Sequence, residues 1–156
     1  MKKLKITLSD NKDYTFCTFS LLEQQALKKR FKDFMKIEEE QNKIRFKYNE
    51  EKKQFEKDSD GNLISNVVDE EGEKLIEEKE EKSITFMIDV LRKSLCKTHP
   101  DFKKKDKKEE DDLIVQQLKD MFDLDDLKNI TFFLFNGIYT ERETIIDVTT
   151  NENSKQ

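Results

Sequence analysis

The sequence predicts an α+β protein, mainly α: an N-terminal β-hairpin packed on a small helical bundle, with a long charged antiparallel helical hairpin. Three observations carry that prediction. Apolar residues alternate at period two near the N-terminus and then recur at helical spacing. They gather at 4–37, 84–102 and 113–139, while 38–82 is mostly Glu and Lys. Hydrophobic residues are only 34% of the chain against 42% charged, so part of it must stand in solvent outside any packed core. The length of 156 residues suits a single domain, drawn at 1–142, followed by a polar tail at 143–156.

The hairpin occupies 1–19. KLKITL at 3–8 puts Leu4, Ile6 and Leu8 on one face, SDNKD turns, and YTFCTF resumes the alternation with Tyr14 and Phe16. A lone hairpin is marginal in water, so its apolar face must cover a helix or the hairpin must pair with another strand. Residues 20–99 form the helical hairpin. SLLE opens it as a capping box, in which Ser20 accepts from the Glu23 amide and Glu23 reaches back. Leu27, Phe31, Phe34 and Met35 then make an apolar stripe. Beyond them Ile37, Ile44, Tyr48 and Phe55 fall at heptad a/d spacing, interrupted by polar Gln41 and Glu51. A helix from 21 to about 57 accommodates this pattern. Segment 44–65 has a second reading, because IRFKY alternates and QFEKDSDGNLIS fits a β-hairpin around Asp60-Gly61. Its Glu and Lys content favours helix.

KDSDGNLIS at 57–65 breaks the helix, and a second arm starts near 70, leaving a charged tip at about 40–82. Its apolar face carries Ile84, Met87, Ile88, Leu91 and Leu95; Lys93 and Lys97 suit a C-terminus, and His99-Pro100 stops it. Two C-terminal helices follow within 106–137. The first, 106–122, holds Leu113, Ile114, Leu118, Met121 and Phe122, with acids at 109–112 in its first turn. DLDD interrupts, with Asp125 as the expected cap of a helix at 126–136. That helix carries Leu127, Ile130, Phe133 and Leu134 on one side and Phe132 and Phe135 on the other, so it is buried or covered by a partner. Asn136-Gly137 reads as a left-handed stop, though 130–139 also fits a type I′ hairpin. One short strand is expected at 144–148.

The chemistry of the chain points away from catalysis. Net charge is −5, and acids alternate with bases. FKKKDKK at 102–108 is offset by the EEDD that follows, and only Arg30, Arg45, Arg92 and Arg142 offer a guanidinium, so no nucleic-acid partner is expected. Cys17 and Cys96 stand far apart without a CxxC and read as reduced thiols. EKDSDGN places Glu56, Asp58 and Asp60 at calcium-loop positions before Gly61, but the twelfth position is Val67, so no calcium site is expected. His99 has no second imidazole or thiol near it, and Asp111 and Asp112 are expected to face water. No nucleotide, hydrolase or zinc motif occurs, so the chain reads as a non-enzyme without cofactor or metal. No apolar run is long enough to span a membrane and no leader pattern is present, which suggests the cytoplasm.

The order of KKLKITLSDNKDYTF, SLLEQQALKKRF, FMIDVLRKSL and DLIVQQLKDMFDLDDLKNITFFLF resembles the tail assembly chaperones of long-tailed, siphovirus-type phages of low-G+C Gram-positive bacteria. The resemblance covers about 1–37 and 84–139; the charged insertion at 38–82 is longer than the family suggests. It implies a protein of the host cytoplasm that binds the long apolar helix of the tape measure protein and helps recruit tail tube protein subunits. Leu118, Met121, Leu127, Ile130, Phe132, Phe133 and Phe135 are the candidate partner-binding residues, as core or as contact surface. Two alternatives stand beside it: a coiled-coil interaction protein forming a homo-oligomer through 37–82, and a small nucleic-acid-binding regulator using Lys103–Lys108.

Overall fold

The computed structural model describes residues 2–136 and 144–147. The fold is α+β and mainly helical, as the sequence predicts. β1 (Lys2–Thr7) and β2 (Asp13–Cys17) form the N-terminal hairpin, and α1 is Leu21–Arg45. A second small hairpin, β3 (Tyr48–Asn49) with β4 (Gln54–Phe55), precedes α2 (Glu70–Leu95). A 3-10 turn at Pro100–Phe102 leads to α3 (Lys108–Met121) and α4 (Leu124–Asn136), and β5 is Thr144–Asp147. The chain divides into two compact units, Met1–Leu27 with Phe86–Gln156, and Lys28–Thr85.

In the first unit, β5 pairs antiparallel with β1, giving the order β2-β1-β5. The register Leu4↔Phe16 and Ile6↔Tyr14 collects the alternating apolar residues on one face, and all four are buried. Asn11, at φ 61, turns the hairpin in the left-handed region that asparagine tolerates, and the Asp10 carboxylate accepts from the Lys12 amide at 2.9 Å. The covered face meets Phe122 edge-on through Tyr14 and Phe16, at 6.3 and 6.0 Å between ring centroids. Met87, Leu91 and Leu95 of α2, Leu118 of α3, and Ile130, Phe133 and Leu134 of α4 complete this core. The capping box forms as read: Ser20 Oγ accepts the Glu23 amide at 3.2 Å and Glu23 Oε1 accepts the Ser20 amide at 3.1 Å.

The break before α4 is capped differently from the sequence expectation. Asp123, two residues before Asp125, is the cap: its Oδ1 accepts the Asp126 amide at 2.8 Å, and Asp126 Oδ2 accepts the Asp123 amide at 3.3 Å. Asp126 thus stands where a capping box normally has Glu or Gln, and α4 starts two residues earlier than expected. Residues 130–136 are helix, which decides against a hairpin there. Gly137 of the predicted stop, and the tail residues 143 and 148–156, lie outside the described residues.

In the second unit, α1 and α2 run antiparallel. Lys79 meets Glu40 at 2.6 Å, Arg45 meets Glu80 at 3.1 Å, and buried Gln41 donates to Ser83 at 3.3 Å. The helix expected to reach about 57 ends at Arg45 instead. Its last carbonyls find a remote partner: the Asn66 side chain donates to Ile44 O at 3.0 Å and the Asn66 amide to Arg45 O at 2.8 Å. The β reading of 44–65 holds only beyond Arg45: Ile44 and Arg45 of IRFKY are helical, and Phe46 bridges to Ser65. Tyr48 and Phe55 pair across β3–β4 with ring centroids 5.0 Å apart, so they are cross-strand neighbours and not heptad positions. Lys57 and Leu63 bridge around Gly61, whose φ of 83 needs glycine. Gly72 sits in the first turn of α2, where a Cβ would come within 2.8 Å of Val68.

Candidate interaction surface

The seven apolar residues singled out on α3 and α4 divide by burial. Leu118, Leu127, Ile130 and Phe133 are buried in the core, one of the two places the sequence allowed them. Met121, Phe132 and Phe135 are half-buried. Phe135 packs edge-on to Phe19 at 5.4 Å and stacks with Phe86 at 6.2 Å, which places it at the margin of the same core. A core this rich in phenylalanine stabilises the unit through burial, each ring contributing about 1.5–3 kcal/mol.

Among the described residues of the first unit, the most solvent-accessible large apolar side chains are elsewhere. Leu21 and Leu22 open α1 at 73% and 77% exposure, and Leu113 on α3 stands at 72%. The capping box fixes the first turn of α1, and Glu23 Oε2 accepts from Lys97 Nζ at 2.8 Å, so the two leucines project from an anchored helix start. Burial alone would push the Glu23 carboxyl up, but its bonds to Lys97 and Ser20 outweigh that and hold it below the usual value. Leu113 borders a solvent-open groove of about 490 Å³, lined by Leu8, Ser9 and Asp10 of the β1–β2 turn and by Gln116, Gln117, Asp120 and Met121 of α3.

Two devices hold these walls in place, and neither was read from the sequence. Arg92 on α2, only 7% exposed, donates through Nε to Phe102 O at 2.6 Å and grips Asp111 with both terminal nitrogens, at 3.2 and 2.5 Å. The Arg92 guanidinium, helped by the Lys105 amide, lowers the Asp111 carboxyl to about 2. Asp111 was expected to face water; instead it ties the start of α3 to α2. The second device closes the outer edge of β2. Buried Ser94 Oγ accepts the Cys17 amide at 3.0 Å and donates to Cys17 O at 3.1 Å, while Thr98 Oγ1 donates to Thr15 O at 3.0 Å. Two hydroxyls, one in the last turn of α2 and one in the turn that follows it, thereby occupy an edge that would otherwise offer free pairing groups.

The reactive residue types are held by packing. His99 lies 5.1 Å from the Tyr14 ring and 6.3 Å from Phe102, with Nδ1 3.0 Å from Thr98 Oγ1. Burial raises the Tyr14 hydroxyl above its ordinary value, and its bond to Asp10 adds to the effect. Cys17 and Cys96 are free thiols. Asp58, from the calcium-like segment, accepts the Asp60 and Asn62 amides at 2.9 Å each, the geometry of an Asx turn. Among the described residues no cluster of His, Cys, Asp or Glu could hold a metal ion, and no helix is long and apolar enough to cross a membrane.

Compared with known proteins, the chain matches no family model, no curated protein and no solved structure.

Proposed function

We propose that this chain is a non-catalytic tail assembly chaperone of the long-tailed phage type, acting in the host cytoplasm. In this reading it binds an apolar helix of a tape measure protein, keeps that helix soluble, and helps recruit tail tube subunits. The observation that carries the reading is the exposure of Leu21, Leu22 and Leu113 on a chain that is 42% charged. Exposed apolar side chains on fixed helix faces suit the helix-in-groove mode of recognition, and the charged remainder suits a carrier that must keep a greasy partner in solution. The order of elements, a hairpin followed by a helical pair and two C-terminal helices, adds the support of the family resemblance.

Co-expression with fragments tiling a tape measure protein tests it. At least one fragment that is insoluble alone should become soluble and co-purify with this chain. Failure across the whole set of fragments would overturn the proposal. The self-association alternative draws no support from Tyr48 and Phe55, which pair with each other within the chain.

A further inference from the structure

We infer that the groove between the β1–β2 turn and α3 is a docking site for a basic amphipathic helix of another protein. Three properties of this place point to that occupant. Its apolar contacts are few and adaptable: Leu8, the exposed Leu113 and the flexible thioether of Met121 can receive one or two large side chains. Its charge has one sign, because Asp10 and Asp120 line it and none of the described lining residues is basic. The same sign continues along α3. Helical spacing puts exposed Glu109 and Glu110 on the face of Leu113 and Asp120, and puts Lys119 on the other side.

Asp10 on the turn side and the acidic face of α3 on the other, with a short apolar floor between, match a helix whose apolar stripe is flanked by Lys or Arg. The stems of those cations can lie along Leu8 and Leu113 while their charged ends reach the carboxylates. The exposed amides of Gln116 and Gln117 supply polar contacts along the groove. Asp120 is oriented for this by the Gln116 side chain, which donates to it at 3.1 Å. The preference for a basic helix follows from the lining alone; identifying that helix as part of a tape measure protein rests on the function proposed above.

The test titrates the full-length isotope-labelled chain with two synthetic helices of about 20 residues, long enough to hold helical structure. Both carry the same apolar stripe, flanked by Lys in one and by Glu in the other. The Lys peptide should bind about tenfold tighter or better, weaken as salt rises, and shift amide signals at 8–10 and 109–121. The Leu113→Ser, Asp120→Lys double variant changes only exposed positions, so it should fold with an unchanged spectrum elsewhere and lose about tenfold in affinity. Equal binding of the two peptides, shifts confined to other regions, or wild-type affinity in the double variant would each overturn the inference. Co-expression separates the two proposals. If the double variant still solubilises tape measure fragments as well as wild type, the groove is not their site although the chaperone function stands. If the Lys peptide binds the groove but no fragment is rescued, the chaperone function fails and the groove remains.

Discussion

Replacing Ser94 by alanine removes one oxygen and two hydrogen bonds, and the consequence can be worked from the geometry. Ser94 Oγ is both acceptor for Cys17 N–H and donor to Cys17 O, at 3.0 and 3.1 Å. Each such bond contributes about 0.5–1.5 kcal/mol net, which bounds the pair at about 1–3 kcal/mol. Ser94 itself is fully buried, but Cys17 is only half-buried, so water can recover part of the loss at the strand. The expected cost is therefore about 1–2 kcal/mol, a factor of roughly 5–30 in the folding equilibrium. Urea unfolding measures that cost, and amide exchange at Cys17 locates it: the wild-type amide should be protected, and the variant amide should exchange faster by about the same factor. Thr98→Val should cost less, about 0.5–1 kcal/mol, because Thr98 makes its bond to Thr15 at an exposed position. If Ser94→Ala changes stability by under about 0.3 kcal/mol with Cys17 protection intact, the hydroxyl does not close this edge.

Three further outcomes follow from the packing and the charges. Asp111 titrates near 2 in the folded chain against an ordinary value of 3.8. A depressed folded value means that its stabilisation is full above the unfolded value and is lost as pH falls from about 4 towards 2. Asp111→Asn should flatten that acid limb of the stability profile, and identical limbs would refute the pairing with Arg92. Phe133→Ala should cost about 3–5 kcal/mol in denaturant unfolding because Phe133 is fully buried, whereas Leu22→Ser should stay within about 0.5 kcal/mol. Gln41→Leu combined with Ser83→Ala should be no less stable than wild type, since both bonded partners of a buried polar contact are replaced together; a loss above about 2 kcal/mol would show that the contact itself holds α1 against α2.

Local signals in the sequence were reliable where both partners lay within a few residues. The alternation of Leu4 and Ile6 and the Ser20–Glu23 box form as read, and His99 leaves the α region before Pro100, although α2 already ends at Leu95. The readings that failed depended on partners far along the chain. α1 ends at Arg45 because Asn66, more than twenty residues later, supplies its C-terminal bonds, and nothing local in KIRFK announces that. The second hairpin was hard to separate from helix because β3 and β4 are two residues each and their neighbours are Lys and Glu. Asp111 looked like one more acid in a solvated run, and only the fold brings Arg92 to it. The Asp123 cap was hidden by an Asp-x-x-Asp pair, which uses the reciprocal box with a shorter second side chain. At the candidate surface, hydropathy singled out the most apolar run, ITFFLF, and burial assigns most of it to the core. The exposed leucines stand beside other apolar residues, Leu21-Leu22 near Phe19 and Leu113 before Ile114-Val115, so which of them is accessible depends on tertiary structure.

Hydrogen exchange of the full-length chain, alone and with a soluble tape measure fragment, tests the chaperone function and its surface together. The expected result is slow exchange across Leu127–Phe135 in both samples, with new protection at Leu21–Leu22 or across 113–121 when the fragment is present. Fast exchange at Leu127–Phe135 in the free protein, or no new protection with any fragment, would contradict it.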